Sequence, residues 1–235
     1  MAPTTQIDWQ KAAYLLVNNI YTSQQVKAFE KNSFIKKSDS LHAMTEAARQ
    51  SIEILNKSYP ASEFLILCGP GNNGGDGYYI GIGLNKLKKC VRFIDVLGDR
   101  KKSPLCKQAF KKAKGLKFIS AKALKSISSK TVVVDAIFGI GGRIDLGSEL
   151  EEILSVCNRF ESKVAIDIPT GLDSNTGEIS QACFNANKTI TFIAYKLGQR
   201  INEGKNYCGK LILKDLGLGM NENVRPSVNE FSFDD

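Results

Sequence analysis

The chain has 235 residues, of which 43% are hydrophobic and 24% charged, and its formal net charge is +8 at pH 7. This is the composition of a globular protein long enough for one sizeable core. His42 is the single histidine, so a Ser-His-Asp triad or a multi-histidine metal site is excluded unless it is built around that residue, and proton transfer falls to carboxylates, lysines or tyrosines.

Three features of the sequence bear on where the protein works. No apolar run approaches the roughly 18 residues of a membrane helix, and the first ten residues lack the basic-then-apolar order of a secretory signal. The six cysteines are scattered without a CxxC pair, which is typical of thiols that stay reduced. We therefore expect a cytoplasmic or organellar protein that is not secreted and does not bind a membrane.

The positive charge is concentrated in the middle of the chain. Between Lys86 and Lys130 there are fifteen Lys or Arg residues and two acids, Asp95 and Asp99, which gives a local charge of +13. This segment is either a lysine-rich solvated edge of the domain or a face that binds anions or nucleic acid. No aromatic interleaving or RNA-binding motif supports the second interpretation.

The N-terminal region predicts helices. Asp8 is placed to cap a helix whose apolar residues recur at helical spacing, namely Trp9, Ala12, Ala13, Leu16, Val17 and Ile20. Thr22 and Gln25 form a capping-box pattern that opens a second helix through Phe29. Ser40 begins a third helix, whose apolar face comprises Leu41, Met44, Ala48, Ile52 and Leu55. We expect these helices to pack rather than to catalyse.

From residue 64 onwards the pattern changes to short apolar runs, most of them separated by enough residues for a helix. The runs cover residues 64–68, 91–97, 116–119, 131–138, 163–168, 188–194 and 210–214. Such runs predict an α/β fold with a mainly parallel sheet covered on both faces, although the last two lie closer together and could end the sheet differently. We expect one domain over 1–235, with N-terminal helices over 1–60, a core over 61–217 and a poorly ordered tail over 218–235.

Three glycine-rich turns follow predicted strands. They read GPGNNGGDG from residue 69, GIGGR over 139–143 and PTGLDSNTG over 169–177. Because parallel strands deliver their C-terminal ends to one edge of the sheet, these turns should meet where a ligand binds. The glycines of the first turn allow positive φ and close backbone approach, and the following helix offers its N-terminus to a phosphate. The GxGxxG match at 69–74 is weak by itself; Asp95, about twenty residues later, is a candidate ribose contact.

Two aspartates lie in or at the end of otherwise apolar strands. They are Asp135 in VVVDAIF and Asp167 in VAIDIP. A carboxylate there is costly to desolvate unless it is paired, hydrogen-bonded or used in chemistry. Each could simply cap a turn, but two of them beside glycine turns at one sheet edge favour a functional site.

Four stretches carry a resemblance to a known family. LCGPGNNGGDG, VVDAIFGIGGR, VAIDIPTGLDSNTG and TITFIAYKLG occur in the order found in NAD(P)H-hydrate epimerases, and the similarity spans about residues 20–217. The resemblance implies a Rossmann-like three-layer αβα sandwich. It also implies interconversion of the R and S epimers of NADH or NADPH hydrated at C6 of the nicotinamide ring, so that a partner dehydratase, dependent on ADP or ATP, restores the cofactor.

The resemblance also implies residue roles. Substrate contacts map onto Asn72, Asn73, Gly74, Gly75 and Asp76, onto Gly139, Ile140, Gly141, Gly142, Arg143, Ile144 and Asp145, and onto Asp167. A potassium ion would be held by Asn73, Asp135 and Thr170. A homodimer is expected, with the stripe of Trp9, Ala12, Leu16 and Ile20 contributing to the interface.

The chemistry can be assigned to these residues independently of the family. The hydrated carbon is a hemiaminal, so the ring nitrogen can expel hydroxide and leave a planar iminium that water attacks from either face. One positioned carboxylate can protonate the departing hydroxyl and deprotonate the incoming water, and we assign that role to Asp167. Lys196 either steadies the site electrostatically or is a surface lysine.

Some positions depart from the family pattern. Thr170 stands where serine is usual, and AMTEAA at 43–48 replaces a sequence like LMENAG, which puts dimer packing or substrate entry in question. The second half of GIGGRID also differs, so the contacts of that loop are less closely defined by the resemblance.

Two other functions fit parts of the sequence. Relatives of this fold serve as dimeric scaffolds in messenger RNA decapping, and the local +13 suits such a role, but those relatives tend to lose the glycine–asparagine loop or the aspartate. A conventional nicotinamide oxidoreductase is disfavoured because no separate substrate domain or hydride-transfer constellation is visible. We therefore favour the epimerase and expect no nucleic-acid partner.

Overall fold

A computed structural model describes residues 15–33, 37–142, 144–216 and 226–233. Within these ranges the chain forms two sheets, one of seven strands and one of three. The strands are β1 (Leu15–Tyr21), β2 (Phe64–Cys68), β3 (Val91–Asp95), β4 (Lys117–Phe118), β5 (Val132–Ala136), β6 (Ser162–Ile166), β7 (Lys188–Phe192), β8 (Tyr195–Lys196), β9 (Lys210–Lys214) and β10 (Val228–Phe233). The helices are α1 (Ser23–Ser33), α2 (Lys37–Ser58), α3 (Asn72–Lys86), α4 (Pro104–Ala113), α5 (Ser148–Cys157), α6 (Leu197–Arg200) and α7 (Gly204–Tyr207), with a 3₁₀ helix over Ala121–Ser126.

The central sheet is parallel throughout. Its strand order is β4-β3-β2-β5-β6-β7-β9, and every neighbouring pair runs in the same direction. All seven apolar runs in the sequence form strands of this sheet, so the predicted α/β fold is confirmed. The last two runs, β7 and β9, pair in parallel like the others.

Helices cover both faces of the sheet. Alternate residues of β2 point to opposite sides: Phe64, Ile66 and Cys68 pack into one core with residues of α1 to α4, whereas Leu65 and Leu67 pack into the other with residues of α5. This alternation follows from the two-residue period of a strand. It produces the three-layer arrangement that the uninterrupted apolar runs predict.

The sequence predicts that the first helix extends to Ile20, and this prediction was wrong for the C-terminal part of that helix. Leu16, Val17 and Ile20 lie in β1, and the rest of the predicted apolar stripe falls outside the described residues. β1 pairs antiparallel with β10 and parallel with β8. The predicted tail is therefore structured over 226–233, where β10 completes the small sheet.

The second and third predicted helices are present. The Thr22 N–H donates to Oε1 of Gln25 at 2.8 Å, and the Gln25 N–H donates to Oγ1 of Thr22 at 3.3 Å, which confirms the capping box that opens α1. α2 begins at Lys37, three residues before the predicted Ser40. His42 is exposed on α2.

The basic segment forms one edge of the molecule. It runs from the end of α3 through α4, β4 and the 3₁₀ helix, and twelve of its fifteen basic residues are exposed. This placement agrees with a solvated edge. All six cysteines have free thiols. Among the helices in the described part of the chain, none is long and apolar enough to cross a membrane.

Candidate active site

The three glycine-rich turns meet at one edge of the sheet. They follow β2, β5 and β6, which are adjacent in the strand order. The first two turns, together with Asp167 just before the third, border a cavity of about 340 Å³. On this side, including the ends of β7 and β8, the cavity is lined by Gly71, Asn72, Asn73, Asp76, Ile137, Phe138, Gly139, Ile140, Gly141, Gly142, Asp167, Phe192 and Lys196.

The glycines of the first turn serve close approach rather than positive φ. α3 already begins at Asn72, so the whole NNGGDG stretch is helical, and no glycine from 69 to 77 has a positive φ. A Cβ on Gly74 would lie 1.8 Å from the Gly69 carbonyl oxygen, and one on Gly69 would lie 2.1 Å from the Ile137 carbonyl oxygen. Only glycine lets the start of α3 pack this closely on Gly69, and lets Gly69 pack this closely on the loop after β5.

Asp167 is fixed by contacts on both carboxylate oxygens and on its carbonyl. Its Oδ1 accepts from Nζ of Lys196 at 2.5 Å, and its Oδ2 accepts from the Ile140 N–H at 3.1 Å. Its backbone carbonyl accepts from Nε2 of Gln199 at 2.8 Å. The residue has φ +69, a left-handed conformation that costs energy for a side chain other than glycine and that recurs at functional sites.

Lys196 belongs to the site and not to the surface. Its side chain is only 1% exposed, and it forms an ion pair with Asp167. Its ammonium group also donates to Oγ1 of Thr191 at 2.8 Å and to the Phe192 carbonyl at 2.9 Å. These three contacts use all three donors of the ammonium group, so Lys196 positions Asp167.

Asp135 lies in β5 and is fully buried. Its Oδ2 accepts from the Thr170 N–H at 2.7 Å, and its Oδ1 accepts from the Thr170 hydroxyl at 2.8 Å and the Ile137 N–H at 3.1 Å. Burial raises the pKa of Asp135 to about 6, and the hydrogen bonds from Thr170 and Ile137 oppose that rise. The carboxylate thus ties the turn after β6 to the turn after β5.

Asn73 has one buried polar atom to which no described residue hydrogen-bonds. Its Nδ2 donates to the carbonyl oxygens of Phe138 at 2.9 Å and Ile166 at 3.1 Å, while its Oδ1 is buried and unpaired. The Phe138 N–H in turn donates to the Thr170 hydroxyl at 3.3 Å. An orphaned buried oxygen is costly without a ligand. Amide, carboxylate and hydroxyl oxygens such as those of Asn73, Asp135 and Thr170 are ligand types that hard cations prefer.

α1 and α2 close the cavity from the other side. They contribute Val26, Lys27, Glu30, Ser40, Ala43, Met44 and Ala47. α1 is held against the turn after β6, because the Ser23 N–H donates to Oδ1 of Asn175 at 2.7 Å and Nδ2 of Asn175 donates to Oγ of Ser23 at 3.0 Å. These helices therefore line the cavity in addition to packing against the core.

Three carboxylates share the cavity. Burial, and next the charge of Asp167, raises the pKa of Glu30 to about 7, while Lys196 and Lys27 lower it. Burial also raises the pKa of Asp76 well above its usual range, with further contributions from Asp167 and Glu30. The cavity therefore holds acidic groups that repel one another. It also holds the ion pair between Lys196 and Asp167.

Comparison with known proteins identifies the family. Residues 40–198 match the family model of the YjeF-related protein N-terminus. The chain is 32% identical over 180 residues to a Leuconostoc citreum protein named NAD(P)H-hydrate epimerase, an alignment covering 75% of this chain and 80% of that relative. The chain belongs to the NAD(P)H-hydrate epimerase family.

Other relatives support the same family, and one solved structure shares the fold. Identity is 30% over 184 residues with an NAD(P)H-hydrate epimerase of Rhodopirellula baltica, covering 74% of each chain. It is 33% over 184 residues with the Bifunctional NAD(P)H-hydrate repair enzyme Nnr of Escherichia coli, covering 74% of this chain and 35% of that protein. The crystal structure of the yeast protein ynu0 shares the fold, with a TM-score of 0.67, 19% identity, and coverage of 83% of this chain and 86% of that one.

The positions that the family resemblance assigns to substrate divide into two groups. Eight line the cavity: Asn72, Asn73, Asp76, Gly139, Ile140, Gly141, Gly142 and Asp167. Gly74, Gly75, Ile144 and Asp145 do not line it, and Arg143 falls outside the described residues. Gly74 and Gly75 instead permit packing, since a Cβ on Gly75 would lie 2.6 Å from Cε of Met44.

One suggested contact is not supported. Asp95 accepts from Nζ of Lys102 at 2.8 Å and from the Tyr78 hydroxyl at 2.8 Å, and it does not line the cavity. It is therefore a structural ion-pair residue beside the first turn.

Two residues that line the cavity, Glu30 and Lys27, were given no role by the family resemblance. The residue order around them is that of any amphipathic helix, so no local signal marks the face of α1 that meets the site.

Proposed function

We propose that this protein interconverts the R and S epimers of NADH or NADPH hydrated at C6 of the nicotinamide ring. The observation that carries the proposal is the cavity at the ends of β2, β5 and β6, into which Asp167 presents a carboxylate fixed on both oxygens. Family membership supports the same substrate, because the relatives at 30% identity or more are named for it.

The reaction needs a site that favours a planar cation. When the C6 hydroxyl leaves, the ring becomes an iminium with positive charge shared by its nitrogen. The Asp167 carboxylate lines the cavity and is held in place by Lys196 and the Ile140 N–H, and negative charge preorganised beside a developing cation stabilises the transition state.

Asp167 is the residue to which we assign proton transfer. On the face of the ring that it reaches, it protonates a departing hydroxyl as an acid or takes a proton from an incoming water as a base. Lys196 holds Oδ1, and the Ile140 N–H holds Oδ2. Because these contacts fix the carboxylate before substrate arrives, little reorganisation is needed during the reaction.

We further propose that potassium binds beside the cavity. The unpaired Oδ1 of Asn73 and the oxygens of Asp135 and Thr170 would hold it. A bound cation would supply fixed positive charge next to the turn after β5 and would satisfy the orphaned amide oxygen. The protein residues would remain responsible for proton transfer.

Two assembly proposals rest on the family resemblance. The first is a homodimer; the apolar stripe that suggested its interface includes Leu16 and Ile20, which lie in β1 and not in a helix. The second is functional partnership with an ADP- or ATP-dependent NAD(P)H-hydrate dehydratase. Light scattering at tens of micromolar tests the first proposal, and a mass equal to that of one 25.8 kDa chain would contradict it.

Chiral chromatography of a single epimer incubated with the enzyme tests the activity. The enzyme should destroy stereochemical purity well above the rate in buffer and without ATP. If the rate equals that of buffer alone, the protein is not an epimerase, and the scaffold interpretation of the fold gains support. NADH hydrate and NADPH hydrate should both be supplied, since the proposal covers either.

A further inference from the structure

We propose that Glu30 is a second proton carrier of the reaction and serves the face of the nicotinamide ring opposite to the face served by Asp167. The inference rests on the proposed epimerase function. It assigns a chemical role to α1.

The two carboxylates enter the cavity from different layers of the fold. Asp167 follows the end of β6, at the edge of the central sheet, whereas Glu30 lies on α1, which covers that edge. The hydrogen bonds between Ser23 and Asn175 hold the start of α1 against the turn after β6. A flat ring between the sheet edge and α1 would therefore have one carboxylate on each side.

Asp167 is poorly suited to serve both faces. Its Oδ1 is held by Lys196 at 2.5 Å, its Oδ2 by the Ile140 N–H at 3.1 Å, and its backbone is in the left-handed region. Reaching the other face would break these contacts. Epimerisation nevertheless requires hydroxide to leave from one face and water to add to the other, so a fixed Asp167 needs a counterpart.

Glu30 has the freedom that Asp167 lacks. Among the described residues only charge interactions and burial act on its carboxyl group, with no hydrogen bond to it. Four charged groups interact with the Glu30 carboxyl group. They are Asp167, Asp76 and Lys196 across the cavity and Lys27 on the same helix. Burial and Asp167 raise the pKa of Glu30 to about 7, so both protonation states are populated near neutral pH, as a group that donates in one direction and accepts in the other requires.

The proton balance follows directly. For one epimer, protonated Glu30 gives its proton to the C6 hydroxyl as the C6–O bond breaks, and the electron pair of that bond leaves with the water formed. The ring nitrogen supplies the electrons that make the iminium. A second water forms a C6–O bond on the other face and loses its proton to the Asp167 carboxylate. The opposite epimer reacts by the reverse assignment, which restores the first protonation state.

Isotope exchange separates this scheme from proton transfer by Asp167 alone. Each epimer is prepared with ¹⁸O in its C6 hydroxyl, and loss of label to ordinary water and change of configuration are followed together. The wild type should lose label from both epimers while epimerising them. In Glu30→Gln, epimerisation should fall by about 10²–10⁴. One epimer should still lose label with retained configuration, through departure and return of water on the face of Asp167.

Matched variants separate the role of the Glu30 carboxyl group from a general effect of lost charge or of misfolding. Glu53→Gln changes an exposed acid of α2, whose side chain is 73% exposed, and should behave as the wild type. Glu30→Asp keeps the carboxyl group and should retain more epimerisation than Glu30→Gln. Thermal unfolding of each variant establishes that it is folded.

Each remaining outcome has a defined meaning. If Glu30→Gln epimerises within about threefold of the wild type, or if exchange and epimerisation of both epimers fall in parallel, the assignment of Glu30 is wrong. If Asp76→Asn, and not Glu30→Gln, shows exchange without epimerisation, Asp76 is the second carrier. If the folded wild type epimerises neither hydrate, the proposed function itself fails.

Discussion

The ammonium group of Lys196 lies 2.5 Å from Oδ1 of Asp167, and the exposed fractions of the two side chains are 1% and 15%. The pair therefore brings opposite charges together at the base of the cavity. Removing one partner of such a pair leaves the other charge buried and uncompensated, which is more costly than removing both.

This pair predicts a large stability effect for single variants at either position. Asp167→Asn and Lys196→Met should each lower the free energy of unfolding by about 3–5 kcal/mol. The double variant should lose less than the sum of the two, with a coupling of roughly 1–3 kcal/mol. Urea unfolding of the four proteins measures the cycle, and additive losses would show that the two charges do not interact.

The same cycle also isolates the catalytic role of Asp167. Asp167→Asn alone confounds lost chemistry with an unpaired Lys196, so its melting temperature is not expected to stay unchanged. The double variant Asp167→Asn/Lys196→Met has no unpaired lysine and should still lose about 10²–10⁴ in kcat. Near-normal turnover in the double variant would remove Asp167 from the proton-transfer steps.

The cation site predicts a potassium effect on stability as well as on activity. Thr170→Ser keeps the hydroxyl that contacts Asp135 and should keep a higher melting temperature in KCl than in NaCl. Thr170→Val removes the hydroxyl, and it should lose that difference and about 1–3 kcal/mol of stability. Identical melting curves of the wild type in KCl and NaCl, with identical activity, would contradict the ion assignment.

The central sheet and the place of the site were predictable because their signals are local. Each strand of the sheet is a short apolar run, so Val132–Ala136, which is buried along its whole length, reads as a strand without knowledge of its neighbours. Asp135 and Asp167 stand out because a carboxylate in such a run is costly to desolvate unless it is paired, hydrogen-bonded or used in chemistry. The convergence of their strands follows from parallel topology.

The small sheet was not predictable, because its strands meet across the whole chain. Leu15 pairs with Phe233 and Ile20 with Val228. The periodicity of residues 15–21 carries no information about a partner strand about 200 residues away in the chain. Leu16, Val17 and Ile20 also fit a helical stripe, and tertiary pairing decided between the two conformations. The role of Glu30 was hidden for a related reason, since only the packing of α1 shows which of its faces meets the cavity.

Glu30 predicts a pH dependence of stability that can be measured without substrate. Its folded pKa of about 7 lies above the ordinary value of 4.5. Between those values the folded state holds a proton that the unfolded state has released, so stability falls as pH rises through this window. At about 1.36 kcal/mol per unit, the wild type should lose up to about 3 kcal/mol that Glu30→Gln does not lose.

Urea unfolding at pH 5 and pH 8 measures this difference. Glu30→Gln should gain stability relative to the wild type as the pH rises, and Glu53→Gln should not. Parallel pH profiles for the wild type and Glu30→Gln would mean that Glu30 ionises in the folded protein as it does in the unfolded chain.

Two glycines of the turn after β5 predict opposite outcomes for the same substitution. A Cβ on Gly139 would lie 2.7 Å from Oδ2 of Asp167, whereas one on Gly141 would have Nζ of Lys27 as its nearest neighbour, at 4.0 Å. Both glycines line the cavity, and neither has a positive φ, so alanine is compatible with the backbone at both positions.

Gly139→Ala must displace the Asp167 carboxylate from the Ile140 N–H, and a misplacement of about 1 Å can cost on the order of 10²-fold in rate. We therefore expect Gly139→Ala to lower kcat about 10²-fold and Gly141→Ala to stay within a few-fold of the wild type. Steady-state epimerisation by both variants, alongside their melting temperatures, is the measurement. If the two alanine variants are equally active, the position of Oδ2 does not limit the reaction, and proton transfer belongs to another group in the cavity.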